Sequence, residues 1–74
     1  MDRIYITFGQ AHVHRVNNII FDHNCVAVIP CINEGHGRKK AFEYFGDKWA
    51  FSYDEKAITE HFMSYFPRGL IELS

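Results

Sequence analysis

The chain has 74 residues, of which 47% are hydrophobic and 16% aromatic, and its formal net charge is -1. We predict one compact domain over residues 1–74, too short for a multistep enzyme with separate cofactor and substrate domains and too apolar for a disordered tail. The balanced charge argues against a general nucleic-acid binder or a DNA mimic, so direct nucleic-acid binding is not expected.

The N-terminal sequence and the cysteine spacing indicate the cellular compartment of the protein. The N-terminal residues lack the charged start and apolar run of a signal peptide, and no apolar stretch approaches the roughly 18 residues of a membrane span. We therefore expect a cytoplasmic protein that does not use a membrane. Cys25 and Cys31 lie six residues apart on one predicted strand. That separation is about 20 Å, which is too far for a disulfide and fits a reducing compartment.

The first half of the chain shows strand periodicity. Residues 3–8 alternate between the two faces of an extended segment and predict a strand. Residues 10–24 predict a hairpin with Asn17-Asn18 at its tip, because asparagine tolerates the positive φ that a tight turn needs. Residues 25–32 are apolar on both faces, which is typical of a strand covered on both sides.

The second half alternates helical and extended patterns. Residues 36–45 predict a helix, and residues 49–53 predict an aromatic strand. Asp54 is a suitable N-cap for a second helix, whose apolar residues follow the i, i+4, i+7 and i+8 spacing until Pro67 ends it. Residues 70–73 can pair as a short last strand.

These elements together predict an α+β fold. We expect a small, mainly antiparallel sheet with two helices packed on one face, in the order ββαβαβ. A dense aromatic core between the helices and the sheet would explain how so short a chain folds without a disulfide. The residues expected in this core are Phe42, Phe45, Trp49, Phe51, Phe62 and Phe66.

The histidine-rich hairpin is the first candidate site. With Asn17-Asn18 as a two-residue turn, His12, His14 and His23 share one face with Cys25. Three histidines with an open fourth position predict a hydrolytic or hydrating zinc site, whereas the addition of Cys25 would close the site and make it structural. The alternative is that these are solvated hairpin residues, in which case no cofactor is expected.

The basic turn before the first helix is the second candidate. Residues 35–37 read Gly-His-Gly and precede three cations in the first helical turn, where the backbone N–H groups favour an anion. A phosphate, an acidic partner surface or a nucleotide signal would suit such a site, and the alternative is that the cations are simply solvated. The candidate contact residues are Arg15, His36, Arg38, Lys39 and Lys40.

Catalytic patterns are weak in this sequence. The aromatic strand superficially resembles the stacking platform of RNA-recognition domains, but the element order differs from their βαββαβ order, so a core role is favoured. Neither predicted helix offers paired carboxylates, and no nucleophile motif surrounds a serine or a cysteine. We therefore expect a protein that is not an enzyme.

Two motifs resemble those of a group of small, uncharacterised phage and prophage proteins. The motifs are Tyr5-x-Thr7-Phe8-Gly9-Gln10 and Arg38-x-x-Ala41-Phe42-x-x-Phe45-Gly46-x-x-Trp49-Ala50-Phe51-x-Tyr53. They consist of fold-forming residues, so the resemblance implies the α+β fold and carries no catalytic position with it.

A phage context implies a class of function. Compact phage proteins of this kind are commonly stoichiometric inhibitors of host restriction, CRISPR or transcription complexes. We therefore expect a non-enzymatic binding protein that inhibits a host protein or ribonucleoprotein complex in the cytoplasm of the infected cell, most concretely an anti-CRISPR-like or other counter-defence inhibitor. A zinc-binding protein and a sponge for nucleotide signals are the alternatives, and homodimer formation is left open.

Overall fold

The structure is a computed structural model that describes residues 3–73. Its four-stranded sheet has the order β5-β1-β4-β6, and β2 and β3 form a separate hairpin. The β4–β6 pair is parallel and the other strand pairs are antiparallel. The predicted α+β class is therefore confirmed. The elements are β1 (Arg3–Thr7), β2 (His14–Val16), β3 (Ile19–Phe21), β4 (Cys25–Pro30), α1 (Glu34–Phe45), β5 (Phe51–Tyr53), a 3₁₀ turn (Glu55–Ala57), α2 (Glu60–Met63) and β6 (Gly69–Glu72).

The β2–β3 hairpin forms in the predicted register. Asn17 and Asn18 both have positive φ, 54° and 65°, as a two-residue type I′ turn requires. Val16 pairs with Ile19, and the paired residues end at His14 and Phe21.

The sheet is covered on both faces, and β4 is therefore buried along most of its length. Ile4, Ile6, Ala27 and Ile29 project to one face, where they pack with Ala41 and Phe45 of α1. Tyr5, Val26 and Val28 project to the other face, where they pack with Ile58, Phe62 and Phe66. The prediction that both helices pack on one face is therefore wrong. A strand that is apolar on both sides needs a cover on each.

Helix α1 begins earlier than its apolar pattern predicts. The side chain of Asn33 caps it, with Oδ1 accepting a hydrogen bond from the backbone N–H of His36 at 2.8 Å. Gly37 lies inside the helix, where it is buried against Ile4 of β1. Gly46 ends the helix with a φ of 64°.

The second predicted helix is much shorter in the structure. Asp54 caps the 3₁₀ turn, and Thr59 caps α2 by accepting a hydrogen bond from the backbone N–H of Phe62 at 3.1 Å. Because the chain turns twice between Asp54 and Pro67, a single helical face does not form, and Tyr65 of the predicted apolar stripe is exposed.

The aromatic core differs from the prediction in its members. Phe45 is 3% exposed and Phe62, Phe66 and Trp49 are half-buried, but Phe42 and Phe51 are exposed. Phe8 and Phe21 are fully buried instead. The rings of Phe8 and Phe45 lie 4.8 Å apart at 83°, and the Phe21 ring is 5.6 Å from that of Phe45. These three rings form the centre of the core on the α1 side of the sheet.

Candidate functional site

Exposed aromatic side chains cluster around β5, the edge strand of the sheet that pairs with β1. Phe51 is 64% exposed and Phe42 is 48% exposed. The Phe42 ring meets the half-buried ring of Trp49 at 5.3 Å in an edge-to-face arrangement. We call the surface formed by Arg38, Phe42, Trp49, Phe51 and Ser52 the edge surface.

Helix α1 contributes two of these side chains because of its spacing. Gly37, Ala41 and Phe45 follow each other at intervals of four and form the buried stripe of the helix. Arg38 and Phe42 are each one position further along, so they share the neighbouring stripe, which runs beside β5. This spacing is the sequence signal by which the exposure of Phe42 could have been predicted.

Arg38 connects the helix with the edge strand. Its guanidinium carbon lies 5.5 Å from the centre of the Trp49 ring, and its Nη1 donates a hydrogen bond to Ser52 Oγ at 3.3 Å. The indole Nε1 of Trp49 donates to the Gly46 carbonyl at 3.1 Å, which fixes the ring beneath the guanidinium. Among residues 3–73, Arg38 has no carboxylate partner, since the ion pair found there joins Arg68 to Asp22.

Two of the grooves beside β5 lie on opposite faces of the sheet. The groove on the α1 side has a volume of about 460 Å³ and is lined by the edge surface together with Asp47 and Ala50. The groove on the α2 side has a volume of about 330 Å³, and its lining includes Tyr53, Tyr65 and Phe66. Ala50 and Phe51 line both grooves.

The predicted basic cluster does not converge on one anion site. Lys40 Nζ donates to the Pro30 carbonyl at 2.8 Å, whereas Arg38 points to β5. His36 Nδ1 accepts a hydrogen bond from the backbone N–H of Ile32 at 3.0 Å. Because Asn33 already occupies the N–H of His36, the helix N-terminus is capped by its own chain. The remaining residues of the predicted cluster are exposed, Lys39 on α1 and Arg15 on β2.

The predicted zinc arrangement does not form either. Within the described part of the chain, no three His, Cys, Asp or Glu side chains are placed to hold a metal ion. Strand pairing stops at His14, and Asp22 Oδ1 accepts a hydrogen bond from the Asn24 N–H at 2.9 Å in a turn that contains His23. His12 precedes the paired residues and is half-buried, whereas His23 is exposed and lines the groove on the α2 side.

His14 has a structural role in this fold. Its Nε2 donates a hydrogen bond to the Lys48 carbonyl at 2.6 Å, and its ring lies 5.0 Å from that of Phe45. The histidine thereby connects the hairpin to the segment that leads from α1 into β5.

Cys25 is also not a reactive group. Burial raises the pKa of its thiol, and the thiol donates a weak hydrogen bond to the Asp22 carbonyl at 3.6 Å. A buried neutral thiol behaves as a small apolar side chain rather than as a nucleophile.

Comparisons with known proteins add no functional assignment. No family model matches the chain, and no curated protein or solved structure matches it. Between residues 3 and 73, no helix has the length and apolar character needed to cross a membrane. By its fold and its candidate site, this protein is a small α+β protein whose sheet edge carries aromatic side chains and an arginine.

Proposed function

We propose that this protein is a non-enzymatic binding protein that docks on a partner protein through the edge surface. The observation that carries the proposal is the exposure of Phe42 and Phe51 beside Trp49 and Arg38, which has no carboxylate partner within residues 3–73. Aromatic residues and arginine supply most of the binding energy at protein interfaces, and clustered exposed apolar groups mark such interfaces.

The size of the molecule is compatible with this role. Its accessible surface is 4753 Å². A standard interface of about 800 Å² per partner would take roughly a sixth of that area. The edge surface and its two grooves can form the centre of such an interface, with polar neighbours such as Asp47 and Gln10 at the rim.

The proposed partner is a host protein or ribonucleoprotein complex in the cytoplasm of an infected cell. This part of the proposal rests on the resemblance of the two sequence motifs to small phage proteins, for which an anti-CRISPR-like or other counter-defence inhibitor is the most concrete example. A formal charge of -1 favours recognition by shape and aromatic anchors rather than by mimicry of a nucleic acid.

The test is capture of an identified host protein by the purified chain, followed by measurement of its affinity for defined variants. Phe42→Ala and Phe51→Ala should each weaken binding by tenfold or more, as expected for interface hot spots. Ile32→Ala is the matched control, because Ile32 is 77% exposed but does not line either groove. It should leave the affinity unchanged.

Three results would overturn the proposal. The first is that no host protein is retained at micromolar bait. The second is a captured protein whose affinity is insensitive to the two phenylalanine substitutions. The third is binding of a labelled single-stranded RNA that the same substitutions abolish, because the edge surface would then be a base-stacking site. Fluorescence emission from Trp49, the single tryptophan of the chain, reports on the edge surface in both the protein-binding and the RNA-binding measurements.

A further inference from the structure

We propose that the occupant of the edge surface is an extended segment of the partner, which adds to β5 as a further strand and places an acidic side chain against Arg38. This inference rests on the proposed function and specifies the chemistry of the partner. Strand addition at an exposed sheet edge is a recurrent mode of peptide recognition, in which main-chain hydrogen bonds supply affinity and side-chain pockets supply specificity.

The position of β5 in the sheet favours strand addition. The strand lies at the edge of the sheet and pairs with β1 along one side. Along its other side, no described strand pairs with it. An edge strand presents a row of backbone N–H and C=O groups that an incoming strand can pair with.

The grooves beside β5 lie where the side chains of an added strand would project. Successive side chains of a strand point to opposite faces of a sheet, so a strand added beside β5 sends alternate side chains to the α1 side and to the α2 side. The structure has grooves on both sides of the sheet at β5, and the α1-side and α2-side grooves described above both include Ala50 and Phe51. β5 shows the same alternation, since Ser52 pairs with Ile6 and faces α1, whereas the Phe51 ring lies 6.2 Å from Tyr53 on the α2 side.

The two grooves differ in the chemistry of their linings. On the α1 side the guanidinium of Arg38 lies over Trp49 and engages Ser52 through a single hydrogen bond, so several of its N–H donors remain available to a carboxylate. Asp47 also lines this groove, and its like charge opposes an acidic side chain, so the guanidinium of Arg38 is the group in the lining that favours one.

The groove on the α2 side is mainly aromatic. Phe51, Tyr53, Tyr65 and Phe66 contribute to its lining, and His23 adds a polar group. Such a lining suits aliphatic or aromatic side chains. The partner segment should therefore have an apolar, an acidic and an apolar side chain at three consecutive positions.

The experiment uses four terminally blocked seven-residue peptides as probes. The first alternates valine with glutamate and the second alternates valine with lysine. The other two are the first peptide with alternate backbone amides methylated, one in each possible phase. Binding is followed by amide chemical shifts of the β5 residues and by Trp49 emission. We expect the glutamate peptide to shift the β5 amides and to bind about two- to fivefold more tightly than the lysine peptide.

Two variants of the protein test the role of Arg38. Arg38→Ala should remove the preference for glutamate over lysine, whereas Lys39→Ala should retain it, because Lys39 is the adjacent exposed cation and does not line either groove. At least one methylated phase should abolish binding, since methylation removes the donors that pair with the edge.

Several outcomes would overturn strand addition. They are equal binding of both methylated peptides and the parent, the absence of β5 shifts at millimolar peptide, and a preference for glutamate that survives in Arg38→Ala. A molecular mass that doubles with concentration, together with shifts of the β5 amides, would show that a second copy takes the edge instead. If an identified host protein still depends on Phe42 and Phe51 in any of these cases, the proposed function stands and only strand addition fails.

Discussion

Phe42 and Phe45 lie three residues apart on α1, yet they belong to different regions of the molecule. Phe45 is 3% exposed and contacts Phe8 and Phe21, whereas Phe42 is 48% exposed and contacts Trp49 at the sheet edge. The same residue type therefore stabilises the fold at one position and offers a binding surface at the other. The difference shows that aromatic content alone does not say how much of this chain is core.

The physical origin of the difference is the rotation of α1 about its axis. Gly37 allows the helix to approach β1 so closely that a Cβ at this position would lie 2.8 Å from Ile4 Cγ2. That close approach turns the Gly37, Ala41 and Phe45 stripe toward the sheet. Phe42 lies about 100° away from this stripe on the helical circumference and is left at the edge.

The largest expected effect comes from the buried member of the pair. Phe45→Ala removes a ring from the centre of the core and should lower the free energy of unfolding by about 3–5 kcal/mol. Phe42→Ala is the matched control on the same helix and should cost less than about 1 kcal/mol, because much of its ring is already in water. Urea unfolding followed by circular dichroism measures both. Equal losses for the two variants would contradict the division into core and edge.

The second prediction concerns the close approach of α1 to β1. Gly37→Ala should destabilise the protein, because overpacking against the buried Ile4 costs about 1–3 kcal/mol and exceeds the gain in helix propensity. Gly35→Ala should stabilise it by up to about 1 kcal/mol, since a Cβ there meets Asn33 Oδ1 at an ordinary 3.5 Å. Both substitutions improve helix propensity, so opposite shifts in the thermal midpoint isolate the contact with β1. Stabilisation by both would show that the helix does not need this glycine to dock.

The smallest expected effect is a pH dependence of the free energy of unfolding, which comes from the buried thiol of Cys25. Burial raises its pKa in the folded state, so the unfolded chain loses the proton first as the pH rises. The free energy of unfolding should therefore fall once the pH passes the ordinary thiol value of 9.0. The dependence is obtained as the difference between the wild-type protein and Cys25→Ala, with urea midpoints measured from neutral to alkaline pH. Identical pH profiles would show that the thiol is not desolvated.

Local patterns predicted several parts of this molecule because neighbouring residues decide them. The Asn17-Asn18 turn sets the hairpin register through positive φ values that asparagine tolerates. The apolar run of β4 predicted burial on both faces, and Gly46 predicted the end of α1. Among the described residues the hairpin histidines are not gathered into a metal-binding group, because strand pairing stops at His14 and the chain turns at Asp22.

Periodicity, turn chemistry and composition are local properties, and from them the α+β class, the Asn17-Asn18 turn and an apolar core were predictable. The placement of the helices on opposite faces of the sheet, and the exposure of Phe42 and Phe51 beside Arg38, arise in the folded arrangement. These outcomes depend on strand order and helix rotation, which follow from contacts between distant segments such as Gly37 with Ile4 and Arg38 with Ser52. The spacing on α1 places Phe42 beside the buried stripe, but its position next to β5 depends on how these distant segments pack.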